Sequence, residues 1–311
     1  MSEALPKVLA IVGPTAVGKT ALSIELAKRF SGEIISGDSL QIYRGLDIGT
    51  AKVTAEEQAG VPHFLIDERE ADENYTAYDF QKKGREKIEA ITRRGHLPII
   101  VGGTGLYIQS LLYDYQLGGD AAWKETQEKR AHWEAYLATH GKEALWEKLG
   151  QKDPVAAESI HPNNARRVIR LLERTQSMPK VPPKALYDFC LLGLEGVREE
   201  LYQRINQRVD QMVENGLIDE ARRLYELQKK RGHTLQSAQG IGYKELFPYF
   251  AGEKPLAYCL VEIKRNSRRY AKRQLTWFKN RMPVHWHDLT RPDERERITE
   301  EVENWLSGGI L

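Results

Sequence analysis

The run Val8-Leu-Ala-Ile-Val12, followed directly by Gly13-Pro-Thr-Ala-Val-Gly18-Lys19-Thr20, constrains this chain more than any other stretch. A continuous apolar run predicts a strand covered on both faces, as in the middle of a parallel sheet. The residues after it satisfy G-x-x-x-x-G-K-[ST]. Leu22, Leu26 and Phe30 then recur at helical spacing. Strand, glycine turn and helix in this order make a phosphate-binding loop. Its glycines let backbone N–H groups approach phosphate oxygens, and the helix N-terminus adds positive potential. Lys19 supplies a point charge, and the Thr20 hydroxyl can ligate Mg²⁺.

The same alternation continues. Glu33-Ile-Ile-Ser36, Phe64-Leu-Ile-Asp67, Leu97-Pro-Ile-Ile-Val101, Phe189-Cys-Leu-Leu-Gly-Leu194 and Val284-His-Trp-His287 are further strand candidates. Helical patterns lie between them, at Tyr78 to Arg94 and at Leu201, Ile205, Val209, Met212 and Val213. The latter stripe stops at Asn215-Gly216, a suitable helix end. A closing helix is expected around Ile298, Val302, Trp305 and Leu306. The fold class is α/β, a P-loop NTPase-like, mostly parallel sheet flanked by helices. From about Tyr113 the pattern changes to helical segments over 124–149 and 165–175, then a proline-rich break at 178–183. We read 114–186 as a mainly helical insertion in a core made of 1–113 and 187–311.

Composition excludes several classes. The chain has 311 residues, 41% hydrophobic and 29% charged, which rules out disorder as a description of the whole. No apolar run nears the ~18 residues of a membrane span, and no signal peptide is expected at the N-terminus. Cys190 and Cys259 fit neither a zinc site nor a disulfide framework. A reducing, cytoplasmic setting is expected. Net charge is only +2, yet Lys264, Arg265, Arg268, Arg269, Lys272, Arg273, Lys279 and Arg281 crowd one acid-free stretch. Tyr270, Trp277 and Phe278 interleave with them, a mixture suited to phosphate contact and base stacking. Inward packing of those aromatics remains the alternative reading. Arg166, Arg167 and Arg170 share a second helical face, which could equally be a solvated one.

Two features at strand ends bear on chemistry. Asp38 follows the Glu33–Ser36 segment and would share the rim of the phosphate loop. It could hold Mg²⁺ through water, act as a general base, or merely cap a turn. The strand at 97–101 ends in Gly102-Gly103-Thr104, where an NTPase would place an acid. Thr104 is thus a hydrogen-bonding candidate for substrate or for Asp38.

Together these motifs resemble the tRNA dimethylallyltransferase (tRNA isopentenyltransferase) family, bacterial type, over nearly the whole chain. The matching stretches include Ile35-Ser-Gly-Asp-Ser-Leu-Gln-Ile-Tyr43, Asp47-Ile-Gly-Thr-Ala-Lys52, Val61-Pro-His-Phe-Leu-Ile-Asp67 and Val101-Gly-Gly-Thr-Gly-Leu-Tyr107. Ile160-His-Pro-Asn-Asn164, Gly240-Ile-Gly-Tyr-Lys-Glu245 and Tyr270-Ala-Lys-Arg-Gln-Leu-Thr-Trp277 complete the set. The resemblance implies that the loop of Gly13, Pro14, Thr15, Ala16, Val17, Gly18, Lys19 and Thr20 holds the diphosphate of dimethylallyl diphosphate. The dimethylallyl group would move to N6 of the adenine 3′ of the anticodon, position 37. Asp38 would be the general base, Lys19 and Thr20 with Mg²⁺ would stabilise the leaving group, and Thr104 would orient Asp38 or the amine. Arg204, or Arg208 four residues on, would be a further diphosphate cation, with Arg204 favoured.

By the same resemblance Asp38, Ser39, Leu40, Gln41 and Thr104 would meet the flipped base, with Ser39 and Gln41 reading it. Arg166, Arg167, Arg170, Gly240, Tyr243, Lys244, Lys272, Arg273, Gln274, Trp277 and Lys279 would contact the anticodon stem-loop. The enzyme is expected to be a monomer with no membrane partner and without the zinc-finger extension of eukaryotic relatives. Phe64, Val53 and Asn164 depart from the family's usual residues, outside the proposed catalytic positions. The rival readings are a P-loop small-molecule kinase of the nucleoside monophosphate kinase kind, a prenyltransferase of free adenine nucleotides, and a non-enzymatic RNA-binding module.

Overall fold

In the computed structural model, which describes residues 5–115, 117, 120–173 and 184–309, the apolar runs become the strands of one sheet. Its strands are β1 (Lys7–Val12), β2 (Gly32–Ser36), β3 (His63–Phe64), β4 (Leu97–Gly102), β5 (Asp188–Glu195) and β6 (His285–Asp288). They lie in the order β3-β2-β4-β1-β5-β6, and every pairing is parallel. The chain leaves β1 toward one side of the sheet and returns to the other for β5 and β6. All carboxyl ends therefore gather on one rim, where such sheets bind ligands.

Residues of β1 alternate between two cores, which is why the run is apolar throughout. Val8, Ala10 and Val12 join one core with Phe80, Ile88 and Ile91 of α3 (Ala77–Arg93). Leu9 and Ile11 join the other with Leu22 and Leu26 of α1 (Lys19–Arg29), and with Ile298 and Val302 near the C-terminus. The short α2 (Ala55–Gln58) precedes β3, and α4 (Gly105–Leu112) follows β4.

The third strand is shorter than its sequence suggests. Pairing stops at Phe64 because Leu65 and Asp67 turn to positive φ, 60° and 54°, which ends a ladder. At the carboxyl ends of β2 and β4 the backbones touch. A Cβ on Gly102 would collide with the carbonyl of Gly37, so glycine lets these two turns sit side by side.

Residues 116–183 form a separate compact unit. The core runs slightly further than 1–113 and 187–311, because the Asp114 N–H donates to the Lys184 carbonyl and the Leu186 N–H to the Leu112 carbonyl. Within the unit α5 (Asp120–Lys152) is broken at Gly141, which takes φ 83°. Two short helices follow, α6 (Pro154–Glu158) and α7 (Ala165–Leu172). Leu145, Leu149, Ile160, Val168, Ile169 and Leu172 make its own core, and Trp146 Nε1 donates to the carbonyls of Ala157 and Ile160. Arg130 forks onto the buried carboxylate of Glu173 at 2.7 and 3.1 Å. The proline-rich break at 178–183 lies outside the described residues. No helix among the described residues is long and apolar enough to cross a membrane.

The close approach at Gly102 has a measurable consequence. Gly102→Ala should destabilise the full-length protein by about 1–3 kcal/mol, the usual cost of overpacking, read as a lower urea midpoint at constant slope. An unchanged midpoint would mean that the two turns separate freely.

Candidate active site

The phosphate loop follows β1 as expected. Gly13 has φ 144°, and a Cβ there would lie 2.5 Å from the carbonyl oxygen of Leu194. Gly18, at φ 102°, caps α1 without any side-chain hydrogen bond, and no acid stands in the first turn. The first N–H groups of α1 therefore have no side-chain partner and are available to an anion. Thr20 is exposed at this end of the helix. Lys19 folds over the loop, its Nζ donating to the carbonyls of Gly13 at 3.0 Å and Pro14 at 2.7 Å.

Asp38 stands two residues beyond β2 on the same rim. Its Oδ1 accepts the Leu40 N–H at 2.9 Å. Burial pushes its carboxyl above the ordinary range, opposed by the N–H groups of Leu40 and Gln41 and by the charges of Lys19 and Arg208. The same burial drives Lys19 down to about 7, with Arg208 adding to the fall and Asp38 opposing it. Arg208 is lowered by burial and supported by Asp38 and Glu57. Asp38, Lys19 and Arg208 thus form one electrostatic group.

Arg208 lies on α8 (Arg198–Glu214). Arg204, one turn earlier, does not join that group. Its charge acts on Asp288 at the end of β6, and its guanidinium lies beside Gly196 just after β5. The sequence could not separate them, since residues four apart share a helix face. Position along the rim does, and it favours Arg208 over Arg204 as the cation nearest Asp38.

Thr104 is placed at the mouth of the site. Its hydroxyl accepts the Ser39 N–H at 3.3 Å and is also bonded to Tyr270, whose phenol burial raises to about 12. Tyr270 lies on α11 (Leu256–Arg281), the helix carrying the basic stripe. Its buried face is Cys259, Ile263, Ala271, Gln274 and Phe278. Gln274 was expected at the RNA. Instead its Oε1 accepts the Thr15 N–H at 3.2 Å and its amide donates to the Gly103 carbonyl at 3.1 Å, tying the phosphate loop to the β4 turn. Trp277 packs against Gly105 and is covered on its ring by Arg281 at 4.3 Å, so it is not an open stacking platform.

Other expected RNA contacts are also engaged within the protein. Tyr243 is buried, its hydroxyl donating to Glu220 at 2.7 Å. Gly240 is buried against Leu40, because a Cβ there would stand 2.7 Å from the Leu40 side chain. Gln41 accepts from the Ser36 hydroxyl at 3.0 Å and donates to the carbonyls of Thr50 and Ala51, so both ends of its amide are occupied. Lys279 pairs with Glu195 at 2.6 Å. Lys264, Arg265 and Arg268 are held by Asp210, Glu262 and Asn206. Arg269, Lys272 and Arg273 are exposed and make no ion pair among the described residues. Lys244 is exposed, though it reaches the Gln239 carbonyl at 3.0 Å. Arg166, Arg167 and Arg170 are exposed on α7, opposite Val168, Ile169 and Leu172.

A model of the family described as IPP transferase matches residues 41–281. A tRNA dimethylallyltransferase of Enterococcus faecalis is 57% identical over 309 residues, covering 97% of this chain and 98% of that protein. This chain belongs to the tRNA dimethylallyltransferase family. It is a transferase. Solved structures agree. The full-length tRNA isopentenylpyrophosphate transferase of Bacillus halodurans is 48% identical over 97% of this chain and 96% of its own, with a TM-score of 0.71. A eukaryotic dimethylallyltransferase described as acting on tRNA is 31% identical, with a TM-score of 0.84 over 98% of this chain and 81% of its own.

The depressed Lys19 carries a testable sign. In the free protein Lys19 loses its charge as pH rises through about 7. A bound dianion would restore that charge, so binding takes up a proton above this pH. Inorganic diphosphate should bind more weakly at about pH 8 than at about pH 6, relative to a Lys19→Met variant in which the difference is reduced. Calorimetry in buffers of different ionisation enthalpy reads the proton uptake directly. Equal uptake in both proteins would clear Lys19 of this role.

Proposed function

We propose that the chain transfers the dimethylallyl group of dimethylallyl diphosphate to N6 of adenine 37, just 3′ of the anticodon, in tRNA. The observation that carries this reading is Asp38: an acid at the mouth of a phosphate loop, held between Lys19 and Arg208. The relatives' names supply the acceptor class, and the charge layout supplies the roles.

The diphosphate lies on the loop of residues 13–20, against the N–H groups of α1, Lys19 and Arg208. N6 attacks the allylic C1. The N6–C1 bond forms, the C1–O bond breaks, and the diphosphate departs with the bonding pair. Asp38 takes the N6 proton as the attack proceeds, since an aromatic amine is a poor nucleophile without a base. A carboxyl raised by burial is a stronger base than an exposed one. The cations meet the charge building on the leaving group.

Mg²⁺ fits this site in a limited way. Among the described residues no cluster of three or more His, Cys, Asp or Glu could hold a metal alone. That suits an ion carried mainly by diphosphate and water, with the Thr20 hydroxyl as protein ligand. When bound it neutralises charge on the diphosphate.

In the core the RNA-facing residues are Arg269, Lys272 and Arg273 on the outward side of α11, with Lys244; on the insertion, taken by itself, they are Arg166, Arg167 and Arg170. All of these are exposed, as are Arg265, Lys279 and Arg281, and Arg269, Lys272 and Arg273 carry no ion-pair partner among the described residues. Cations without an ion-pair partner give up no carboxylate on meeting phosphate, though Arg273 also lies over the Tyr270 ring at 5.6 Å.

Incubation with labelled dimethylallyl diphosphate, Mg²⁺ and unmodified tRNA should leave label on adenine. Transfer to free AMP but not to tRNA, or phosphoryl transfer from ATP, would overturn the proposal. Asp38→Ala should slow transfer by about 10²–10⁴-fold while tRNA affinity stays near that of the parent; a near-normal rate would remove Asp38 as the base. Lys272→Ala with Arg273→Ala should reduce the slope of log affinity against log salt by about 1–2. An unchanged slope would show that this pair does not meet phosphate.

A further inference from the structure

Glu220 lies on α9 (Leu217–Arg231), away from the phosphate loop in sequence, and is only 2% exposed. No cation pairs with it among the described residues. Its carboxylate instead accepts four neutral donors. The N–H groups of Asp47 and Ile48 reach Oε2 at 2.8 and 3.0 Å. The N–H of Gly49 and the hydroxyl of Tyr243 reach Oε1 at 2.9 and 2.7 Å. Such bonds to a charged acceptor are roughly twice as strong as neutral ones. The Tyr243 ring also lies against Gly49, where a Cβ would stand 2.6 Å from the phenol carbon Cζ. Residues 47–49 are thus gripped by a carboxylate and an aromatic ring.

From that grip a continuous set of bonds leads to the site. Thr50 and Ala51 follow directly, and their carbonyls both accept Gln41 Nε2 at 3.4 Å. Lys52 comes next, buried, with Nζ on the Tyr43 carbonyl at 2.8 Å and on Asp47 and Asp67 at 2.5 Å each. Gln41 and Tyr43 are therefore pinned from the 47–52 segment. The N–H groups of Leu40 and Gln41 are in turn the ones that bond Asp38. Gly240, just before Tyr243, backs the Leu40 side chain.

We propose that Glu220 and Tyr243 are positioning residues for allyl transfer, fixing the carboxylate of Asp38 toward the amine through the 47–52 segment and Gln41. This rests on the reading of Asp38 as the base. Neither side chain touches substrate; both are enclosed. Four donors on one carboxylate lock a segment that would otherwise be a surface loop.

The test uses the full-length chain, with single-turnover transfer of labelled dimethylallyl to unmodified tRNA as a function of pH. Glu220→Gln turns an amide NH₂ toward at least one backbone N–H. It should slow transfer about 10- to 100-fold, the cost of a small misplacement of a reacting group. The KM for dimethylallyl diphosphate should change less than about twofold, since the diphosphate contacts are intact. The midpoint of the acid limb of the rate profile should rise, because looser N–H groups stabilise the Asp38 anion less. Tyr243→Phe should change rate and midpoint in the same direction by a smaller factor. Ile298→Val, in the core beside α1 and far from this segment in the fold, serves as a variant with a general loss of stability.

Parent-like rates and midpoints in both Glu220→Gln and Tyr243→Phe would overturn the proposal. So would losses that Ile298→Val reproduces at equal melting temperature. Should Glu220→Gln not fold, Tyr243→Phe decides alone, and an unchanged midpoint and rate in it overturns the assignment. If the unsubstituted chain labels no tRNA, it is the proposed function that fails, an outcome separate from any difference among variants.

Discussion

Two cations and a carboxylate share the enclosed rim between the phosphate loop and the end of β2, and burial opposes the charge on each of them. Desolvation leads the causes for Lys19, Asp38 and Arg208 alike. Their interactions partly offset this: Asp38 favours the charged form of both cations and both favour the Asp38 anion, while Arg208 opposes the charge on Lys19. A buried charge without a partner costs several kcal/mol, so removing any one member disturbs the others. On the proposed function, the negative charge of a bound diphosphate would oppose the Asp38 anion and so make the carboxylate more basic once the allylic donor is in place.

The fold supplies this arrangement through backbone proximity rather than long side chains. Parallel strands deliver their carboxyl ends to one rim. Gly102 lets the turns after β2 and β4 approach to contact distance, and Gly103 does the same for the turn after β4 and the loop after β1. Gln274 then bonds the loop after β1 to the turn after β4. Thr104 bonds the turn after β4 to the one after β2 through the Ser39 N–H. Asp38 and Thr104 therefore sit on short turns tied to their neighbours, the condition under which a carboxylate and a phosphate loop hold their separation.

The central strand, the phosphate loop and the rim position of Asp38 were legible in the sequence, because each is a local pattern: an apolar run, a spaced glycine motif, an acid two residues past a strand. The all-parallel order of the sheet follows from the alternation of strands and helices. What escaped was nonlocal. Glu220 is an ordinary acid in an amphipathic helix, and nothing in its neighbours marks it as the acceptor for residues 47–49. Arg204 and Arg208 share a helix face, and only the placement of α8 along the rim separates them. Tyr243, Gln274 and Gln41 stand in segments that resemble RNA-binding ones, yet their polar atoms are engaged inside. A motif marks where a segment matters. It does not distinguish a side chain that meets the ligand from one that holds the segment in place. The early end of β3 and the break at Gly141 are backbone choices that apolar periodicity does not report.

The helix α11 shows how the two kinds of residue can alternate on one element. Its inward positions include Ile263, Gln274 and Phe278, and its outward ones Arg269, Lys272 and Arg273. A helix cannot move its outward face without its inward one. On the proposed function, RNA phosphates would bear on the same rigid rod that holds Thr15 and Gly103 through Gln274. Docking of the acceptor would then be felt at the donor loop by direct mechanical connection, within one turn of helix. The segregated charge of the stripe is thus more than attraction for a polyanion. Arg269, Lys272 and Arg273 stand close in sequence to the glutamine that joins the two loops, whereas Lys264 and Lys279, further along in either direction, are paired with Asp210 and Glu195.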